Sequence, residues 1–149
     1  MTDNDRWFMN AYLKILLPKA ESAAGVSLIE HTMSEGFAVP LHVHNEEDET
    51  FYILEGKVRF KVGERTLEAS PGKSLHVPGG TVHAFRIVSP IARFLTLSNG
   101  AFEDMVREAS VQAEELALPP AAPFTEADQQ MLAAICNRNG IEFVGPPIN

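Results

Sequence analysis

Three shortages bound what this 149-residue chain can be. Its single cysteine, Cys136, cannot form an internal disulfide, and a lone thiol among helix-forming residues reads as a small core hydrophobe. No apolar run approaches the ~20 residues of a spanning helix, and the opening, MTDNDRWF, is acidic and polar where a secretion signal would be basic and then apolar. Basic residues are scarce too: 12 Lys and Arg face 20 Asp and Glu, for a formal net charge of -8. Phosphate backbones and anionic headgroups repel charge of that sign across a Debye length of ~8 Å. The expectation is a cytoplasmic protein with no nucleic-acid and no membrane partner.

What is present is ordinary for a globular protein, with 45% hydrophobic and 21% charged residues, and the length suits one domain over residues 1–149. Near the start, RWFMNAYLKILL places Trp7, Met9, Ala11, Leu13 and Ile15 on one parity and Arg6, Asn10 and Lys14 on the other, the alternation of one half-buried strand. GVSLIEHTM, LHVH, TFYILEG, KVRFKVGERTLEA, KSLHVP, HAFRIV and ARFLTLS follow as short β-prone runs between Gly, Pro and Asn clusters. This spacing implies an all-β sandwich or barrel. After Asn99-Gly100 the period lengthens: AFEDMVREASVQAEEL carries Phe102, Met105, Val106 and Ala109 at helical spacing and predicts an amphipathic helix on the barrel. In TEADQQMLAAICNRNG, Thr125 is an N-cap with Asp128 three residues on, Met131, Leu132 and Ile135 form a stripe, and Asn139-Gly140 is a stop, which predicts a second helix. The prolines of ALPPAAP and GPP, with Gly145, argue against long regular structure in those stretches.

Chemistry concentrates in two places. In a strand, the alternation of LHVH turns His42 and His44 to the same face. Of the acids that follow, Glu49 abuts the next strand and is the one expected to turn inward, while the rest of the run is a solvated loop. Pro78, Gly79 and Gly80 shape a turn after which His83, Phe85 and Ile87 share a parity. Three imidazoles and one carboxylate would suit Fe, Ni, Mn, Cu or Zn and are too rich in nitrogen for Mg or Ca. His76 has the parity of Ser74 and is expected to face the site as a pocket histidine, whereas His31 reads as a surface or strand-edge residue. Phe51, Phe60, Phe85 and Phe94 are candidates to wall an aromatic-substrate pocket, although aromatics in a small barrel are more often core.

Gly36-x5-His42-x-His44-x4-Glu49-x6-Gly56 resembles the first motif of the cupin superfamily, and Gly72-x5-Pro78-x-Gly80-x2-His83 resembles the second. The resemblance implies a cupin-type double-stranded β-helix, or jelly-roll barrel, over residues 24–98, holding one divalent transition-metal ion on His42, His44, Glu49 and His83. Residues 1–23 would then be an N-terminal strand extension and 101–149 a C-terminal helical extension. The asparagine that often follows the second-motif histidine by four residues is Ile87 here. A looser similarity, in the N-terminal WF, RFLTLSNGAFEDMVRE and GIEFVGPP, is to single-domain cupins grouped with quercetin 2,3-dioxygenase-like proteins.

The leading expectation is a quercetinase-like dioxygenase that takes a small aromatic or enolisable hydroxy-ketone and O2, with Glu49 as the base. A non-redox isomerase, cyclase or lyase on the same site is the alternative, with His76 as a second base. Uptake of O2 separates the two. A non-enzymatic small-molecule binding module is the third reading, weakened because 149 residues of net charge -8 leave no room for a basic DNA-binding partner domain. The family's habit of pairing barrel edges implies a homodimer.

Overall fold

Alternating apolar and polar side chains dominate the chain as far as Ser98, and strands form there in the computed structural model, which describes residues 1–149. The elements are β1 (Asp5–Phe8), β2 (Ala11–Leu17), β3 (Ser27–Ser34), β4 (Pro40–His44), β5 (Glu49–Glu55), β6 (Val58–Val62) and β7 (Arg65–Ala69). They continue with β8 (Ser74–Val77), β9 (His83–Ile87), β10 (Ile91–Ser98), α1 (Phe102–Ala109), β11 (Val111–Gln112), α2 (Glu126–Arg138) and β12 (Ile141–Pro147). One sheet runs β11-β1-β2-β3-β10-β5-β8 and the other β12-β4-β9-β6-β7, with all pairings antiparallel. Together they make a jelly-roll barrel with two helices after it. No helix is long and apolar enough to cross a membrane.

The core lies where the inward stripes of the two sheets meet. Phe51 of β5 packs edge-on against Phe60 of β6 with ring centroids 4.9 Å apart, and Phe94 of β10 meets Phe85 of β9 at 5.4 Å. Such aromatic contacts across sheets add to the ~1.5–3 kcal/mol that burying each large apolar side chain contributes. The buried faces of α1 (Met105, Val106) and α2 (Leu132, Ile135, Cys136) join the same core. Cys136 is accordingly a buried thiol, its pKa pushed by burial up to about 12.

Four sequence expectations need correction. The N-terminal segment is two strands, because the chain turns back at Met9-Asn10 so that Phe8 pairs with Ala11. Met9 takes a left-handed conformation with φ 55 there. The turn resets the parity: Phe8 is buried, while Trp7 is partly exposed and donates its indole N–H to Ala117 O. Second, α1 stops at Ala109; the Arg6 guanidinium takes the carbonyls of Arg107 and Ser110, and β11 then pairs with β1. Third, Met131 is exposed although Leu132 and Ile135 are buried, so the stripe of α2 is narrower than expected. Its caps are as read, with reciprocal Thr125 and Asp128 bonds of 3.1 and 3.0 Å. Fourth, β12 runs through Gly145-Pro146-Pro147, which is tolerable because it is an edge strand and its register slips between Phe143 and Pro147.

Gly56, between β5 and β6, has φ 80. A Cβ there would overlap Ile91 O and lie 2.6 Å from Ser89 Oγ. Gly72 has φ 90 but open space around it. Gly56→Ala is therefore expected to cost about 3–4 kcal/mol, from left-handed strain plus overlap, against about 1–2 kcal/mol for Gly72→Ala. Denaturant unfolding of the two variants measures the difference, and equal losses would contradict it.

Candidate metal centre

The barrel brings two stretches of chain together by register. On β4, His42 and His44 are two residues apart and share a face, and His42 is the direct cross-strand partner of His83 at the start of β9. Glu49 opens β5 in the facing sheet. The imidazole centroids are 5.2 Å apart for His42–His44, 4.2 Å for His42–His83 and 5.4 Å for His44–His83. One donor atom from each of His42, His44, Glu49 and His83 lies within 4.8 Å of the others, and all four residues are buried.

Backbone and carboxylate acceptors decide which ring nitrogens face inward. His42 Nδ1 donates to Pro40 O at 2.8 Å, His83 Nδ1 to Thr81 O at 2.9 Å and His44 Nδ1 to Glu47 Oε1 at 3.1 Å. Because a carbonyl can only accept, the proton sits on Nδ1 of His42 and His83, and their Nε2 lone pairs are left for another partner. Glu49 Oε2 lies 3.0 Å from His44 Nε2 and 3.7 Å from His83 Nε2. Apart from that His44 contact Glu49 Oε2 has no partner, and His83 Nε2 is buried with none, a costly state for a carboxylate and an imidazole unless a cation accepts their lone pairs. The donor set thus fits a divalent transition-metal ion.

Without an ion, the charges settle on one pair. Burial would lower His44, but the Glu49 charge and the hydrogen bonds to Glu47 and Glu49 outweigh it and raise its pKa to about 10. Burial would likewise raise Glu49, but His44 and then His83 hold its carboxyl well below the usual range. His42 falls to about 3, first through burial and then through the neighbouring imidazoles His83 and His44.

Glu47 is the site residue the sequence reading missed. The acidic run divides: Glu46 and Asp48 are exposed, but Glu47 is buried beside Glu49. Its carboxylate accepts from His44 Nδ1, from Gly100 N at 2.7 Å and from Phe102 N at 3.0 Å, and so ties a candidate ligand to the first turn of α1. Its backbone packs on Gly79, where a Cβ would come to 3.1 Å. The parity it shares with Glu49 was the available signal.

His76 stands outside. It lies on β8 with its side chain about half exposed, bonds Thr50 Oγ1 at 2.8 Å and is 3.9 Å from Asp48, because β8 at the sheet edge turns this parity to solvent. His31 is the opposite case: it is buried on the inward stripe of β3 between Ile29 and Met33. A cavity of about 60 Å³ adjoins the cluster, and His42, His44, Glu49 and His31 all reach its wall. Phe51 and Phe85 line it too, whereas Phe60 and Phe94 are core residues away from the wall.

Residues 29–97 match the family model described as a cupin domain. A 67-residue stretch is 37% identical to quercetin 2,3-dioxygenase of Bacillus subtilis (strain 168), covering 44% of this chain and 20% of that protein. The chain thus spans about a fifth of the length of that curated relative. The polyketide cyclase RemF from Streptomyces resistomycificus has a similar structure, with a TM-score of 0.56 at 21% identity over 85% of this chain and 80% of that one. KdgF from Halomonas sp. gives a TM-score of 0.56 at 19% identity over 64% of this chain and 84% of that one. At such identities these structures attest the fold alone.

Glu47→Gln keeps the shape but loses the charge that orients His44. It is expected to weaken binding of added Co(II) or Zn(II) about 10- to 100-fold while the folded β spectrum persists. Competition with a chromophoric chelator measures this, and unchanged affinity would contradict it.

Proposed function

We propose that this cupin-superfamily protein is a metal-dependent dioxygenase acting on a small aromatic or enolisable hydroxy-ketone. The observation that carries the reading is the buried set of four donors, with His83 Nε2 left unpartnered, set against an apolar cavity. The cavity of about 60 Å³ holds roughly four waters, so a substrate must be small or enter it only in part. Twelve of its seventeen lining residues are hydrophobic and none is Lys or Arg, so a neutral ring suits it better than a phosphorylated sugar. The stretch similar to quercetin 2,3-dioxygenase supports choosing O2 as co-substrate.

His42, His44, Glu49 and His83 would hold the ion, which when bound supplies Lewis acidity that lowers the pKa of an oxygen placed on it. The chain's own residues do the rest. Backbone carbonyls at Pro40 and Thr81 keep the His42 and His83 rings turned inward. The Glu49 carboxylate takes the proton of the substrate hydroxyl, leaving an enolate whose electron-rich carbon forms a C–O bond to O2, which is the oxidant and both of whose atoms enter the product; such proton transfer contributes about 10²- to 10⁴-fold. Phe51, Phe85 and Met33 exclude water and lie against the ring. The non-redox reading loses the second base assigned to it, since His76 faces solvent.

An oxygen electrode with single-ring hydroxy-ketones, on protein reconstituted with Fe(II), Mn(II), Co(II) or Ni(II), tests the proposal. O2 consumption matching product is expected, reduced at least about 100-fold in Glu49→Gln and within about twofold of wild type in His76→Ala. Product without O2 uptake would move the site to non-redox chemistry, and binding without turnover to a binding module.

A further inference from the structure

The cavity beside the cluster shares a partition with a second hollow. An outer groove of about 240 Å³ opens between the β1–β2 turn, α2 and the segment before α2, and Met9 and Leu132 line both it and the inner cavity of about 60 Å³. Four other cavity residues are only partly buried, and each is held in place. Val39 N–H is bonded to Phe85 O, Pro40 and Phe143 lie in the paired strands β4 and β12, and Phe102 N–H is bonded to Glu47. Met9 instead sits in a turn, with no strand partner and a flexible unbranched side chain.

Side-chain hydrogen bonds hold the groove open. Asn10 donates its amide to Ala122 O at 3.0 Å and accepts from Ala122 N–H at 3.1 Å, and the Trp7 indole holds Ala117 O, so the proline-bearing connector is pinned as one wall. Asp128 is occupied in capping α2. The other liners are apolar, among them Phe124 at 42% exposure and Met131 at 67%, and no Lys or Arg is present to meet an anionic group. Met9 is also the one non-glycine residue with positive φ, at the first position of a two-residue hairpin loop where glycine is usual. Glycine would ease the turn but leave the partition open, whereas methionine closes it with a side chain that can move.

Resting on the proposed reading of the cluster as the chelating end, we infer that Met9 and Leu132 are the gate between cavity and groove, and that the groove binds an unbranched hydrocarbon tail on a substrate whose chelating head alone enters the cavity. Space for roughly four waters is space for about four heavy atoms, the two carbons and two oxygens of an enolisable hydroxy-ketone. Two flexible side chains that swing apart admit a chain one methylene wide sooner than a ring, and a methionine-lined apolar surface adapts to such a chain. The ligand class is then an open-chain, enolisable hydroxy-ketone on an alkyl tail with no anionic end.

Acetohydroxamate and octanohydroxamate test this, since they share one small chelating head and differ only in the length of the alkyl chain. Calorimetry on the Co(II)-loaded full chain is expected to show affinity rising about two- to fourfold per methylene, the worth of a largely buried one. Phe124→Ser and Met131→Glu, at exposed positions, are each expected to cut octanohydroxamate affinity about tenfold, the share of one apolar contact, and to leave acetohydroxamate affinity and cobalt content unchanged. No gain with chain length in wild type overturns the groove as a tail site, which is also the outcome if a second copy covers it. A gain that survives undiminished in either variant overturns it as well. Met9→Gly, which the turn accepts, should speed octanohydroxamate binding severalfold in stopped flow, and an unchanged rate overturns the gate. Failure of acetohydroxamate to bind cobalt-loaded wild type overturns the chelating end too. If the variants do not fold, carbon-13 methyl spectra of the methionines in Zn(II)-loaded wild type decide. Met9 and Met131 resonances that move with octanohydroxamate and not with acetohydroxamate support the gate and the groove; unmoved ones, or ones moved equally by both, overturn them.

Discussion

The site depends on one costly arrangement, a carboxylate 4% exposed to solvent and enclosed by three imidazoles. Moving an ionised carboxylate out of water costs several kcal/mol unless opposite charge or hydrogen bonds compensate. Two remedies are open to Glu49. It can draw a proton onto His44, which its own charge favours, or it can share a cation with all three rings. The first pairs Glu49 with His44 alone and leaves the His83 Nε2 lone pair unpartnered. The second uses every donor at once, and the sheet registers supply the geometry: His42 opposite His83 across the two strands, with Glu49 entering from the facing sheet.

Much of this was legible, for a physical reason. Strand parity is a local property, so the common face of His42 and His44 follows from their spacing alone. What local pattern could not supply was the third dimension. An acidic run by itself reads as a solvated loop, whereas the burial of Glu47 depends on Gly100 and Phe102, 53 and 55 residues away in sequence. His31 sat on an apolar stripe whose parity was readable, but its burial comes from β10 and the packing of Phe94 and Phe102 over it. His76 fails in the other direction, since the inward parity of Ser74 does not hold for an edge strand with one face open to solvent. The prolines of β12 and the Met9 turn are likewise decided by what lies beside them.

Fold and chemistry meet in Glu47. It joins the motif turn to α1, and α1 brings Phe102 and Met105 to the cavity wall, so one buried carboxylate both orients a candidate ligand and closes the apolar end. The glycines at positions 79 and 100 leave the room it needs. Dry walls and oriented donors belong together, because a cation and a substrate oxygen interact more strongly where water is excluded.

X-ray absorption at the metal edge, on protein purified without a polyhistidine tag, reads the donor set itself. One ion per chain is expected, with nitrogen and oxygen neighbours only, at about 2.0–2.2 Å for zinc, and the outer-shell scattering of three imidazoles. A sulfur neighbour at about 2.3 Å, which would place Cys136 on the ion, or fewer than three imidazoles, or no bound ion at all, would contradict it.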